Sequence, residues 1–139
     1  MIIDGTDLIL GRVASFASKK ALLGEKIDIV NCEKVAISGN KKNIFAKYKR
    51  IDDMGDPFQG PFQPKMPDRF VRRVVRRMLK YKTPRGKKAY QRIMCYMGVP
   101  EKLKDQKLET IEKIHVKKLP NFKYITVKEV CKYLGGKVE

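Results

Sequence analysis

Residues 1–31, MIIDGTDLILGRVASFASKKALLGEKIDIVN, decide the fold class. Met1-Ile2-Ile3 opens as a strand, and Asp4-Gly5-Thr6-Asp7 supplies turn-forming side chains directly after it. Leu10, Val13, Ala14, Ala17 and Ala21 then recur at the three- and four-residue spacing of one helical face, and Gly24 after Leu23 is a left-handed stop. Lys26 to Asn31 and Val35 to Ile37 are short and rich in β-branched residues, as expected of strands near the middle of a sheet. A strand, a helix and a parallel strand close only as a right-handed crossover. The N-terminal third is therefore expected to be a βαβ unit and the chain an α/β protein.

Beyond this unit, Ser38-Gly39-Asn40 precedes Lys41, Lys42, Ile44, Phe45, Tyr48 and Ile51, a periodic run that predicts a basic helix. Free backbone N–H groups at its start are suited to an anion. Met54 to Pro67 holds four prolines and two glycines, so it is expected as an extended, ordered loop. Phe58 and Phe62 within it are expected to pin the loop onto the core, stacking on exposed bases being the alternative.

The next segment, PDRFVRRVVRRMLK (67–80), carries the functional signal. Phe70, Val71, Val74, Val75, Met78 and Leu79 form adjacent pairs four apart and make one apolar stripe on a helix. Arg69, Arg72, Arg73, Arg76, Arg77 and Lys80 fill the other side. Twelve basic side chains lie between Lys65 and Arg92 against one acid, Asp68. Like charges at i,i+4 repel, and a dense polyanion such as nucleic acid removes that repulsion. A merely solvated face would interleave both signs, whereas here the excess is chain-wide: 32 Lys and Arg against 15 Asp and Glu, a net charge of +17. Lys82, Arg85, Lys87, Lys88 and Arg92 continue the patch through a basic turn, Thr83 to Lys88, before a helix resumes at Ala89. Arg12, Lys41, Lys42 and Lys47 form a secondary patch. Met94 to Met97 is a weak strand, and Glu101 to Glu112 gives little signal. Thr126-Val127-Lys128-Glu129 is a capping box that starts a final helix ended by Gly135-Gly136.

The 139 residues suit one domain, 1–139, with its own core. Cys32, Cys95 and Cys131 are odd in number and widely spaced, which favours buried thiols over a disulfide framework or a zinc site. His115, the only histidine, lacks companions for a metal. No apolar run approaches the roughly 18 residues of a membrane span, and no signal-like start is visible. Gly5 to Gly11 lacks the lysine and hydroxyl of a nucleotide-phosphate loop. Asp52, Asp53 and Asp56 form the one compact acidic cluster. A magnesium nuclease is the enzymatic alternative it offers, and solvated helix-end acids are the expected reading. Cys32 and His115 are too far apart in sequence to advertise a nucleophile–base pair.

LGRVAS (10–15), VNCEKVAISGNKK (30–42), RRVVRRML (72–79) and PRGKKA (84–89), in that order, resemble ribosomal protein L13 (uL13) over nearly the full length. GPFQPKMPDR (60–69) and YMGVP (96–100) are similar to the archaeal and eukaryotic branch, which points to an archaeal source. The resemblance implies a mostly parallel sheet of about four strands flanked by helices. It implies a non-catalytic protein of the cytoplasmic large ribosomal subunit that binds 23S-type rRNA early in assembly, beside neighbouring ribosomal proteins, with no cofactor and no small-molecule substrate. Where the family usually has Arg-Gly-Met-Leu-Pro, this chain has Arg76-Arg77-Met78-Leu79-Lys80, so the helix is expected to run further before turning.

Overall fold

Strand β1 (Ile2–Asp4) lies parallel to β2 (Ile27–Val30), with Ile3 opposite Ile29, and helix α1 (Leu10–Leu22) connects them, as the N-terminal pattern requires. The computed structural model describes residues 1–138. All five predicted apolar residues of α1 are buried, and the chain leaves the helix through Gly24 at φ +106°. Asp4 organises the turn after β1: its Oδ1 accepts from the Thr6 N–H and Oγ1–H and from Asn31 Nδ2. Burial alone would raise this carboxyl, but the three hydrogen bonds hold it below its usual value.

The main sheet has the order β4 (Ile93–Cys95), β2, β1, β5 (Leu108–Glu109), and every neighbouring pair is parallel. This is the α/β sheet of four strands that was expected. All four residues of β2 are buried, as befits a strand covered on both faces.

Val35 to Ile37 departs from expectation. It forms β3 (Ala36–Ser38), which pairs antiparallel with β6 (Tyr124–Thr126) in a separate two-stranded ribbon. Asn31 adopts φ +55° and Cys32–Lys34 makes a tight 3-10 turn, which deflects the chain out of the parallel sheet directly after β2. The β-branched composition marked the strand correctly, but its partner lies almost ninety residues away.

Helix α2 (Lys41–Asp52) starts at Asn40, whose Oδ1 accepts from the Lys42 N–H. Helix α3 (Pro67–Met78) has its proline in the first turn, where no N–H is needed. It stops at Met78 rather than running on. Leu79 is extended (φ −96°, ψ 144°) and buried, so its side chain gains more from the core than from another helical turn. Of the predicted stripe, Phe70, Val71 and Val75 are buried and Val74 half-buried; Met78 is exposed. Helix α4 (Pro84–Gln91) begins where a basic turn was expected. Thr83 Oγ1 accepts from the Gly86 N–H and Pro84 presets the first turn, so PRGKK is helical. Gly86 is required there, because a Cβ would overlap the Lys80 carbonyl. Helix α5 (Val127–Tyr133) has the predicted Thr126 cap on the Glu129 N–H.

Helix α1 packs against α3 and α4, and α3 reaches β4 and α5, so the arginine helix is anchored at the centre of the molecule. Phe70 contributes the largest fully buried side chain, and the Tyr48 ring from α2 lies 5.0 Å from it. The three cysteines are free and buried. Burial, with the Asp68 charge adding to it, pushes the Cys131 thiol up to about 12. No helix of the described residues is long and apolar enough to cross a membrane.

Candidate nucleic-acid interface

The amphipathic pattern of α3 sets its arginines around the buried Phe70–Val71–Val75 face. Arg69, Arg76 and Arg77 are exposed, Arg72 and Arg73 half-buried, and Lys80 exposed just past the helix end. Four ion pairs form between described residues: Lys20–Glu25, Lys41–Glu129, Lys49–Asp53 and Lys65–Asp52. Each uses a lysine, and no arginine of the described chain has a carboxylate partner. The guanidinium row therefore keeps its charge uncompensated by any carboxylate of the described residues.

Two of these arginines are held by aromatic rings. Arg76 sits 4.0 Å from the Tyr81 centroid and Arg72 4.7 Å from that of Tyr90. The two tyrosines meet edge to face at 5.3 Å. This Arg–Tyr–Tyr–Arg arrangement restrains the guanidinium groups while leaving their N–H edges unpaired with any carboxylate. The Arg72 Nε is buried with no partner of its own. Arg73 acts differently: its Nη1 donates to the Phe62 carbonyl at 2.7 Å and tethers the proline-rich loop to α3.

Lys82, Arg85, Lys87 and Lys88 are exposed and extend the cationic surface along α4. Arg92 is half-buried and donates to the Ala21 carbonyl at 3.1 Å, which ties α4 to the end of α1 and gives this side chain a structural duty. Arg85, Lys88 and Arg92 share with Leu22 and Leu23 a groove of about 440 Å³.

The secondary patch is divided between α1, which carries Arg12, and α2, which carries Lys41, Lys42 and Lys47. Arg12 is exposed and lines a different groove with Ser38 and Tyr48, and Lys42 and Lys47 are exposed. Lys41 is paired with Glu129 at 3.0 Å, and Asn40 occupies the Lys42 N–H that an anion would use. The acidic cluster is divided among separate partners: Asp52 faces Lys65, Asp53 faces Lys49, and Asp56 Oδ1 accepts from the Phe58 N–H. His115 Nδ1 accepts from the Lys117 N–H. Among the described residues no three His, Cys, Asp or Glu side chains gather as a metal site.

Sequence reasoning missed Tyr81 and Tyr90. They flank the PRGKK segment, but nothing local signals that α3 passes over them. It also misplaced the loop phenylalanines: Phe58 is 92% exposed and Phe62 64%, so neither pins the loop to the core.

A four-stranded parallel sheet carrying an arginine helix that forms no ion pair with the described residues defines a small α/β protein with one strongly cationic face. The chain belongs to the ribosomal protein L13 family, whose model matches residues 1–102, the part that holds β1 to β4 and α1 to α4. It is 43% identical to large ribosomal subunit protein uL13 of Archaeoglobus fulgidus, over 96% of this chain and 86% of that one. The same protein of Methanococcoides burtonii is 41% identical and that of Methanosarcina barkeri 42%, each over 98% of both chains. These relatives are archaeal, in line with the archaeal-branch motifs. Members of the family are structural proteins, not enzymes.

Proposed function

We propose that this protein is a structural constituent of the cytoplasmic large ribosomal subunit and that residues 1–139 act as one rRNA-binding domain. In this reading it joins 23S-type rRNA early in subunit assembly through Arg69, Arg72, Arg76, Arg77 and Lys80 of the α3 side and Lys82, Arg85, Lys87 and Lys88 of the α4 side. Arg73 and Arg92 combine that role with structural hydrogen bonds, and Arg12, Lys42 and Lys47 contribute a lesser patch. The observation that carries it is the absence of any carboxylate on the described arginines, with Arg73 alone among the five of α3 donating a side-chain hydrogen bond to another described residue. A row of planar, always-charged forks needs an external anion, and phosphate oxygens match them bidentately. Contacts of this sort recognise the shape and backbone of RNA more than its sequence.

Titration of purified protein with 23S-type rRNA at increasing salt tests the binding. Six to ten phosphate contacts predict that affinity drops by about 10³ to 10⁵ between 50 and 200 mM salt. A salt-insensitive complex contradicts the reading. Sucrose-gradient sedimentation of a lysate separates a subunit component, which travels with the large particle, from a free nucleic-acid-packaging protein near the top. Pulse-labelling followed by isolation of precursor particles tests early entry.

A further inference from the structure

The loop between α2 and α3 has the opposite character to the arginine face. Residues 53–66, between the end of α2 and the start of α3, carry two aspartates, Asp53 and Asp56, against one lysine, Lys65, in a chain of net charge +17. Phe58, Phe62 and Met54 are 92%, 64% and 52% exposed on it. Each square ångström of such apolar surface left in water forgoes about 25 cal/mol, and large apolar side chains exposed together on one short loop are a surface suited to contact.

The rings are held outward by built hydrogen bonds. The Gly60 N–H donates to the Asp56 carbonyl at 2.9 Å and the Phe58 N–H to Asp56 Oδ1 at 2.9 Å, which closes a turn with Phe58 at its tip. Arg73 holds the Phe62 carbonyl from the α3 side. Gly55 lies at φ +83°, and a Cβ there would overlap the Gly60 carbonyl, so the two arms of the loop are in close contact. A groove of about 420 Å³ runs along this loop, lined by Met54, Asp56, Pro61 and Phe62 and by Asp52 with its partner Lys65 among others.

We propose that this loop docks a basic polypeptide segment of a neighbouring large-subunit protein, with an aliphatic or aromatic side chain laid against Phe58 and Phe62 and a lysine or arginine set against Asp56. The proposal rests on the ribosomal reading of the chain. Charge decides the occupant. Asp52 and Asp53 have lysine partners, whereas Asp56 has no ion-pair partner among the described residues. An RNA base stacked on Phe58 would bring its phosphate beside the Asp56 carboxylate, and like charges in a partly dry contact repel. A second copy of the chain would set +17 against +17. A basic peptide meets both the rings and the carboxylate.

The test replaces Phe58 with the photocrosslinking residue p-benzoylphenylalanine in the full-length protein, assembled into large subunits in cells. After irradiation, purified subunits are digested with nuclease and protease and the adduct is sequenced by mass spectrometry. The expected product is a peptide of another large-subunit protein with a lysine or arginine within a few residues of the adduct. Its yield should drop several-fold when Asp56→Asn is added, since asparagine keeps the turn's acceptor and removes the charge. An adduct on a nucleotide, on an acidic or neutral peptide, or no adduct at all overturns the docking proposal while the ribosomal reading stands. Failure of the tagged wild-type protein to sediment with the subunit overturns both. For the pure protein, Phe58→Ser with Phe62→Ser should leave rRNA affinity within about twofold, and a tenfold loss would assign the rings to RNA.

Discussion

Arg76 stacks on Tyr81 and has no carboxylate partner among the described residues, while Arg73, three residues earlier on the same helix, donates a hydrogen bond to the Phe62 carbonyl. The two substitutions to alanine should therefore diverge. Arg76→Ala removes one phosphate-binding fork and should lower the log–log salt slope of rRNA binding by about 0.9, while destabilising the fold by at most the ~0.5–1 kcal/mol of an exposed cation–π interaction. Arg73→Ala should in addition loosen residues 54–66, which hydrogen exchange of those amides would report. Gly86→Ala drives a methyl group into the Lys80 carbonyl and should cost about 1–3 kcal/mol by thermal melting, because backbone on both sides must shift. Cys131 provides a pH signature. Its thiol is raised from an ordinary value near 9.0 to about 12, so the folded state holds its proton where the unfolded chain loses it. The resulting stability is complete below pH 9 and is lost as pH rises toward 12, a decline that denaturant melts across that interval would measure.

Helix starts are legible in sequence where the cap is local. Thr126 caps α5 as its capping box predicts, and Asn40 caps α2 in the same local way. Thr83-Pro84 carries the same kind of signal, cap followed by first-turn proline, but the dense charge of PRGKK reads as a turn and puts the expected helix start at Ala89, five residues late. Thr83→Ala should cost about 1 kcal/mol, and melting with and without RNA would show the loss in both states. Helix ends are harder to read. Nothing in RRMLK distinguishes a further helical turn from the extended Leu79 that the core draws in. Strands of two or three residues are the least legible: both residues of β5 are exposed, so no alternation exists to be seen.

At the scale of the whole molecule, the net charge of +17 acts on stability and on binding with opposite signs. Salt screens the repulsion among uncompensated cations, with a Debye length of about 10 Å at 0.1 M, so the melting temperature of the RNA-free protein should rise between 20 and 500 mM salt. Affinity for rRNA should fall over the same range. A melting temperature indifferent to salt would mean that the arginine face carries little repulsion and has less need of a polyanion.

Order of residues alone settled the βαβ opening, the two-faced arginine helix and the cationic balance, because hydrophobic period and charge are properties of neighbours along the chain. Tertiary structure alone decided that Tyr81 and Tyr90 lie beneath Arg76 and Arg72, that β3 abandons the main sheet for β6, and that Phe58 points to solvent. Those outcomes depend on which distant segments compete for the same core volume and sheet edge, and that competition leaves no periodic trace in any single stretch.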